Sequence, residues 1–343
     1  MPHTFPALYL TDEMRALEAR AFTDAPQPPL MERAGSAAAE RARALAGEGR
    51  GVLVLAGPGN NGGDAFETAT HLKRLFYRVD VVFSGDAARL SADAHAALEK
   101  WRAADGRLLA SIPIDTRYDL VVDGLFGIGL GRPISGRDAE FIAQANRLPG
   151  RKLSLDVPSG INADSGVVMG VAFRATHTLT FIARKPGLYT LDGPDHCGDV
   201  STATLGLDAE ALRPPQGRVV ENALLATSLV SRPRNFHKGL AGSVGIVGGA
   251  AGMVGAALLA GRAALRLGAG KVFVGLLAEG SPPMDMLQPE LMLREPDALV
   301  GGGIASVMAI GPGMGAAANA RRQLALALDL EAPLIVDADA LNM

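Results

Sequence analysis

The sequence predicts an α/β protein built on a doubly wound parallel sheet. Short apolar segments recur along the chain, and most end abruptly in glycine or aspartate. Between them lie stretches with apolar residues at helical spacing. Strands that alternate with helices form parallel, Rossmann-like sheets, because each crossover between parallel strands needs a helix. Ligands of such sheets bind beyond the carboxyl ends of the strands, so we expect the functional residues there.

The predicted elements of the first half begin with a helical cover. Thr11 is expected to cap a first helix, a proline-rich loop follows at 24–29, and a second helix spans 30–45. Five strands are then predicted at 52–55, 79–83, 120–122, 152–155 and 178–182. Helices are predicted at 65–77, 91–103 and 137–146. The single tryptophan, Trp101, is expected in the core.

A change in amino-acid composition at 206–230 predicts a domain boundary. Pro214 and Pro215 are followed there by polar and short apolar residues. We place one domain at 1–220 and a second at 221–343. The second domain is predicted to contain strands at 242–247 and 271–276 around a helix at 256–267. Further strand ends are expected near 309–315 and 334–340.

Composition excludes several classes of protein. The 343 residues carry a net charge of −3, which argues against nucleic acid or an anionic membrane as the main partner. Cys197 is the only cysteine, so no internal disulfide forms and a cytoplasmic location fits. The first ten residues lack the pattern of a signal peptide. Residues 243–261 are uncharged, but they are mostly glycine and alanine, so no membrane span is expected.

The stretch Gly57-Pro-Gly-Asn-Asn-Gly-Gly-Asp64 lies between the first predicted strand and helix. Glycines at such a turn let backbone N–H groups approach a ligand, and the positive end of the following helix points to the same place. The turn is therefore expected to hold a phosphate or another negatively charged oxygen. The G-x-G-x-x-G pattern within it is weak evidence by itself, and no Walker lysine follows.

Three strand ends of the first half carry oxygen-bearing side chains: Asn60, Asn61 and Asp64 at the first, Asp123 at another, and Asp156 with Ser159 at a third. One such aspartate is often only a helix cap, but the combination favours a functional site. Amide, carboxylate and hydroxyl oxygens suit a hard cation, and few carboxylates among many neutral oxygens suit potassium. Neighbouring carboxylates also favour acid–base chemistry.

The first half closely resembles the YjeF amino-terminal domain, the NAD(P)H-hydrate epimerase. The resemblance covers about residues 8–207. The residues that carry it are Met31-Glu-Arg-Ala-Gly35, Gly57-Pro-Gly-Asn-Asn-Gly-Gly-Asp64, Asp123-Gly-Leu-Phe-Gly-Ile-Gly-Leu-Gly-Arg-Pro133, Asp156-Val-Pro-Ser-Gly160 and Lys185-Pro-Gly-Leu188. Ala65 and Gly124 depart mildly from the family pattern.

The resemblance implies that the first domain interconverts the R and S forms of hydrated NADH or NADPH, in which water has added across a double bond of the nicotinamide ring. It implies a potassium ion held by Asn61, Asp123 and Ser159, and a homo-oligomer. Asp123 or Asp156 is the candidate acid–base catalyst. The implied substrate-binding residues are Asn60, Asn61, Gly62, Gly63, Asp64, Gly127, Ile128, Gly129, Leu130, Gly131, Arg132, Pro133 and Asp156.

The second half resembles the start of the ADP- or ATP-dependent NAD(P)H-hydrate dehydratase domain, a partial ribokinase-like α/β domain. The resembling stretches are His237-Lys-Gly, Gly245-Ile-Val-Gly-Gly249, Gly255-Ala-Ala257, Gly268-Ala-Gly-Lys-Val272, Gly311-Pro-Gly-Met-Gly315 and Asp337-Ala-Asp-Ala-Leu-Asn342. The resemblance implies that Ala257 and Gly315 bind substrate and that ADP or ATP acts with magnesium. The family's later catalytic segments do not occur in this sequence, so we expect dehydration to be absent or impaired.

Three other functions are compatible with parts of the pattern. An NAD-dependent dehydrogenase would use the first glycine turn, although Asp64 would set a negative charge where pyrophosphate sits. A small-molecule kinase would use the ribokinase-like half, although the catalytic aspartate in a glycine-rich anion hole is not found. A non-catalytic binding protein on the same fold would not need Asp123 and Asp156, and both are present.

Overall fold

The structure is a computed structural model that describes residues 5–23, 28–221 and 231–343. The chain divides into two compact units, Met1–Ser228 and Leu229–Met343. The predicted loop at 24–29 and the predicted boundary at 206–230 lie partly outside the described residues. Within the described part, no helix is long and apolar enough to cross a membrane.

The first unit is built on seven parallel strands, which confirms the doubly wound sheet. Their order across the sheet is β4-β3-β2-β5-β6-β7-β8, so the direction of winding reverses between β2 and β5. A separate antiparallel pair joins β1 to β9. The strands of this unit are β1 (Ala7–Leu8), β2 (Gly51–Ala56), β3 (Arg78–Phe83), β4 (Leu108–Leu109), β5 (Leu120–Gly124), β6 (Arg151–Leu155), β7 (His177–Phe181), β8 (Asp199–Ala203) and β9 (Gly217–Arg218).

Helices cover both faces of this sheet. Val52 and Val54 on β2 belong to the core cluster that contains Trp101, whereas Leu53 and Leu55 belong to the cluster that contains Phe141. The alternation follows from the strand period of two residues. The helices are α1 (Thr11–Thr23), α2 (Leu30–Ala46), α3 (Asn60–Arg74), α4 (Ala92–Ala103), α5 (Gly136–Arg147), α6 (Gly193–Cys197) and α7 (Ala209–Leu212).

Helix α3 departs from its predicted bounds. It begins at Asn60, five residues before the predicted start at Ala65, and ends at Arg74. Asn60 to Asp64 therefore form its first turn instead of a loop before it. Phe76 falls within the predicted helix at 65–77, but it lies beyond the end of α3 with φ of 64° and 89% of its surface exposed. The short strands β4 and β8 were not predicted.

The second unit contains a five-stranded parallel sheet with the order β12-β11-β10-β13-β14. One core cluster contains Val247 and Phe273, and another contains Ile246 and Val272, so both faces are covered. The elements are β10 (Ser243–Gly248), α8 (Val254–Arg266), β11 (Lys271–Leu276), β12 (Met292–Arg294), α9 (Pro296–Gly301), β13 (Val307–Ile310), α10 (Ala318–Leu328) and β14 (Leu334–Val336).

Candidate active site

The glycine turn between β2 and α3 lies where the winding of the first sheet reverses. A Cβ atom at Gly57 would lie 1.8 Å from the carbonyl oxygen of Leu125, and one at Gly62 would lie 1.9 Å from the carbonyl oxygen of Gly57. Larger side chains would therefore push α3 away from the strand ends. Close packing of backbone on backbone brings the first turn of α3 to the crevice that ligands of doubly wound sheets use.

Asn61 and Asn60 play different parts in that first turn. Asn61 is 9% exposed, and its amide nitrogen donates to the carbonyl oxygen of Leu155 at 3.3 Å. Its amide oxygen is buried and has no hydrogen-bond partner among the described residues. Asn60 instead accepts a hydrogen bond from the Ser91 hydroxyl at 2.7 Å, which fixes the start of α4. Of these two asparagines, Asn61 is the one with an unpaired buried amide oxygen, and a ligand or cation can satisfy that oxygen.

Asp123 is fully buried on β5 and accepts four hydrogen bonds. The Ser159 hydroxyl donates at 2.6 Å and the Ser159 backbone N–H at 2.9 Å. The Ser154 hydroxyl donates at 2.9 Å and the Leu125 N–H at 3.3 Å. Burial raises the pKa of Asp123 above its ordinary value, and the bonds from Ser159 oppose that rise. This carboxylate is occupied in holding the loop after β6 against the end of β5.

Asp156 follows β6 and forms a buried ion pair with Lys185. The ammonium group also donates to the Thr180 hydroxyl and to the Phe181 carbonyl oxygen, each at 2.9 Å, and Lys185 is 1% exposed. The second carboxylate oxygen of Asp156 accepts only a long bond of 3.4 Å from the Ile128 N–H. Asp156, which is 8% exposed, therefore keeps one carboxylate oxygen with only a weak partner at the carboxyl edge of the sheet.

The backbone at Asp156 has φ of 65°, in the left-handed region. Aspartate and asparagine tolerate this conformation better than most other non-glycine residues. Ile182, at the end of the neighbouring strand β7, has φ of 66°. Such conformations cost about 1–3 kcal/mol each and often cluster at functional sites. An asparagine at position 156 is therefore compatible with the local backbone.

The predicted substrate loop at 127–133 runs past Asp156. A Cβ atom at Gly127 would lie 3.1 Å from this second carboxylate oxygen of Asp156 and 3.3 Å from the Cγ atom of Asn61. Gly127 thus separates Asn61 from Asp156. Gly129 and Gly131 have open space around them, and Arg132 and Pro133 are exposed. The outer part of the loop is accessible to a ligand.

Two further carboxyl groups lie in the electrostatic surroundings of Asp156. Burial raises the pKa of Asp64 well above its ordinary value, and the negative charges of Asp156 and Glu18 raise it further. Burial also raises the pKa of Glu18, with a further rise from Asp156. Glu18 lies on the first predicted helix, and Lys185 lies in a stretch that carries the family resemblance. Neither residue carries a local sequence signal for its place here.

The oxygen atoms of this site fit a weakly held monovalent cation. The unpaired amide oxygen of Asn61 and the hydroxyl oxygen of Ser159 are neutral cation ligands, and Asp123 provides a negative charge beside Ser159. Hard cations prefer such oxygen ligands. Among the described residues, no group of three or more His, Cys, Asp or Glu side chains is placed to hold a metal ion. Neutral oxygen ligands of this kind suit a hard cation better than a soft transition metal.

The remaining predicted residues, Ala257 and Gly315, belong to the second unit. Ala257 is buried on α8. Gly315 has φ of 64°, and its N–H donates to the Asp339 carboxylate at 2.8 Å. The loops after β10 and β13 are joined by hydrogen bonds from the Gly249 N–H to the Pro312 oxygen and from the Ala250 N–H to the Gly313 oxygen. They form a glycine-lined backbone surface at the carboxyl edge of the second sheet.

Comparison with known proteins assigns a family to each unit. Residues 27–187 match the family described as YjeF-related protein N-terminus, and residues 244–343 match the family described as NAD(P)H-hydrate dehydratase. The chain is 36% identical over 346 residues to the bifunctional NAD(P)H-hydrate repair enzyme of Coxiella burnetii, an alignment that covers 98% of this chain and 70% of that protein.

The chain belongs to the family of bifunctional NAD(P)H-hydrate repair enzymes. It is also 33% identical over 367 residues to the bifunctional repair enzyme of Leishmania braziliensis, covering 99% of this chain and 65% of that protein. The first unit alone has shorter relatives. The NAD(P)H-hydrate epimerase of Achromobacter xylosoxidans is 44% identical over 179 residues, which cover 52% of this chain and 86% of that protein. The chain spans about two thirds of the length of these bifunctional relatives.

Proposed function

We propose that the first unit epimerises the R and S hydrates of NADH and NADPH, and that the second unit belongs to the machinery that dehydrates the S hydrate with ADP or ATP and magnesium. Membership of the repair-enzyme family supports both parts. The observation that carries the first part is the buried Asp156–Lys185 ion pair, which leaves one carboxylate oxygen at the crevice beside the unpaired amide oxygen of Asn61.

The hydrated ring carries a hydroxyl on a carbon next to nitrogen. The nitrogen lone pair can expel this hydroxyl as water once the oxygen is protonated, and a planar cation results. A water molecule that adds to the opposite face, and loses a proton, gives the other epimer. The site must therefore supply an acid, a base and a fixed orientation for the ring. Asp156 is 8% exposed and has one weakly paired oxygen, so it suits the base role better than the fully buried Asp123.

Asp123 and its partners suit the role of a cation site. Asn61, Asp123 and Ser159 would hold potassium, and Asp123 would balance its charge. A bound potassium ion would contribute positive charge beside the nucleotide. The two hydrogen bonds that Ser159 donates to Asp123 keep Ser159 in place. The loop from Gly129 to Pro133, in which every residue except Leu130 is exposed, would contact the nucleotide outside the ring.

The second unit suits binding of an adenine nucleotide. Its glycine loops after β10 and β13 offer backbone close to Ala257 and Gly315, at the edge where doubly wound sheets bind ligands. Titration calorimetry of the chain with ADP and ATP, each with and without magnesium, tests this assignment. Magnesium-dependent binding that weakens when Gly315 is replaced by valine supports it, and binding of neither nucleotide contradicts it.

The test of the first part follows the conversion of purified R hydrate of NADH by chiral-resolving chromatography. We expect wild type to bring R and S forms to equilibrium, faster in potassium chloride than in choline chloride. Asp123→Ala is expected to lose this activity. Absence of interconversion in folded wild type would contradict the epimerase assignment. A change in nicotinamide absorbance with oxidisable substrates would favour a dehydrogenase instead.

A further inference from the structure

Asp64 lies one helical turn beyond Asn61 on α3. Residues three apart on a helix share a face, with Cβ atoms about 5–6 Å apart. Asn61 contacts the Leu155 carbonyl, next to Asp156. Asp64 therefore faces the end of β6 from the same side as Asn61. The Asp156 charge raises the pKa of Asp64, which agrees with this placement.

The Asp64 carboxyl receives no hydrogen bond from the residues that the structure describes. Its backbone carbonyl accepts a bond from the Thr68 hydroxyl at 2.7 Å, but its side chain remains free. The other two aspartates differ, since Asp123 accepts four hydrogen bonds and Asp156 is paired with Lys185. Of these three carboxyl groups, Asp64 alone has neither a hydrogen bond nor an ion pair with the described residues, so a ligand would be its partner.

The charges around Asp64 favour its protonated form. Burial has the largest effect on its pKa, and the carboxylates of Asp156, Glu18 and Glu67 raise the pKa further, in that order. The Lys185 ammonium opposes them. Glu18 lies on α1, Glu67 on α3 itself, Asp156 after β6 and Lys185 after β7. Two neighbouring carboxyl groups in such unequal surroundings can divide the roles of acid and base.

We propose that Asp64 is the general acid of the epimerisation and that Asp156 is its base. This assignment rests on the proposed epimerase function, and it goes beyond the substrate-binding role that the family resemblance implies for Asp64. The proton of the Asp64 carboxyl passes to the ring hydroxyl, the C–O bond breaks, and water leaves as the nitrogen lone pair forms a C=N bond. Water then attacks the opposite face and loses a proton to the Asp156 carboxylate.

One turnover leaves Asp64 ionised and Asp156 protonated. A proton that passes through solvent from Asp156 to Asp64 restores the starting state, so atoms and charges balance over the cycle. In the opposite direction the two groups exchange roles. No oxidant, reductant or further reactant is needed.

The test compares Asp64→Asn with wild type in the full chain. We expect kcat for interconversion of the NADH hydrates to fall by about 10²–10⁴-fold, the usual contribution of a general acid. The KM should change by less than about threefold, because asparagine keeps the shape and a polar contact. Asp64→Glu should retain part of the activity. Asp93→Asn, at an exposed position in the first turn of α4, is the matched control and should behave as wild type.

The pH profile distinguishes an acid from a binding group. Wild-type kcat should fall as pH rises through the pKa of Asp64, and the residual rate of Asp64→Asn should lack that fall. A raised KM with unchanged kcat would show that Asp64 only binds substrate and would overturn the proposal, as would an alkaline fall that survives in Asp64→Asn. Wild type without any interconversion would overturn the epimerase function and the acid role with it. Circular dichroism checks that each variant is folded.

Discussion

The two units have glycine-rich loops at the same position of a parallel sheet but surround them with different chemical groups. In the first unit, buried polar side chains converge on the crevice, namely Asn61, Asp123 and Asp156. In the second unit, the loops after β10 and β13 bond to each other through backbone groups, as from the Ala250 N–H to the Gly313 oxygen at 2.7 Å. Glycines therefore lie at the candidate site of both units, while the side chains around them differ in chemistry.

This difference teaches what a glycine motif can establish. Glycine permits backbone to approach backbone or ligand, and this property is common to nucleotide sites and to catalytic crevices. The first unit adds an ion pair with 1% exposure at Lys185 and an unpaired amide oxygen, groups that a binding loop does not require. We therefore expect substitutions in the first unit to affect turnover and those in the second unit to affect nucleotide affinity.

The largest expected effect on stability comes from Asp123→Ala. The change leaves the buried Ser159 and Leu125 donors without their acceptor, and the loss of a buried charged partner costs about 3–5 kcal/mol of unfolding free energy. Urea unfolding measures it, because Trp101 is the only tryptophan and lies in the core of this unit. A loss below about 1 kcal/mol would contradict the structural part of the account.

Gly57→Ala and Gly59→Ala distinguish the stability cost of a steric clash from the cost of merely replacing a glycine. The new methyl group at position 57 would meet the Leu125 carbonyl, while position 59 has open space. We expect the first change to cost about 2–3 kcal/mol of unfolding free energy and the second less than about 0.5 kcal/mol. Tryptophan fluorescence in urea measures both. Equal costs would mean that the approach of α3 to β5 does not depend on Gly57.

Asp339→Ala tests how much one side chain of the second unit contributes to stability and to nucleotide affinity. Its carboxylate accepts one hydrogen bond, from the Gly315 N–H, so the cost should be about 1 kcal/mol of unfolding free energy. ADP affinity should change, while epimerisation stays at the wild-type rate. Far-UV circular dichroism in urea and calorimetry measure these effects. Asp337→Ala, at the exposed neighbouring aspartate, is the control. An equal effect of both changes would contradict the role of Asp339 in holding the loop.

The smallest predicted effect is that Glu18→Gln shifts the pH at which epimerase kcat falls on the alkaline side. The Glu18 carboxylate raises the pKa of Asp64, so its removal should lower that pKa. The alkaline fall in epimerase kcat should then occur at a lower pH than in wild type. A pH–rate profile detects the shift. Asp12→Asn, at an exposed position on the same helix, should leave the profile unchanged. An alkaline limb that moves to higher pH would contradict the electrostatic arrangement.

Hydrophobic patterns were sufficient to predict the central strands of both sheets. Segments such as 52–55 and 271–276 are short, apolar and bounded by turns, and the structure confirms them as β2 and β11. The edge strand β8 (Asp199–Ala203) was missed, because its residues are mostly polar or small and only partly buried. A strand that packs on one neighbour needs less apolar sequence than one in the centre of the sheet.

The start of α3 could not be derived from local propensity. Gly62 and Gly63 disfavour helix, which is why the first turn was predicted as a loop. Packing decides otherwise, since a Cβ atom at Gly63 would meet Met31 on α2 and Ala94 on α4. Long-range pairing also determines the role of Lys185, which lies 29 residues from Asp156 in sequence and reaches it because β6 and β7 are adjacent. The sequence placed Asp156 at a strand end but could not identify its partner.

The central claim is that side chains at the crevice of the first unit perform the chemistry. The most direct test measures kcat for interconversion of the R and S hydrates of NADH by wild type and Asp156→Asn. Asparagine fits the left-handed backbone at this position, so the variant should fold. We predict that kcat falls by about 10²–10⁴-fold. A variant that is folded and retains the wild-type rate would contradict the account.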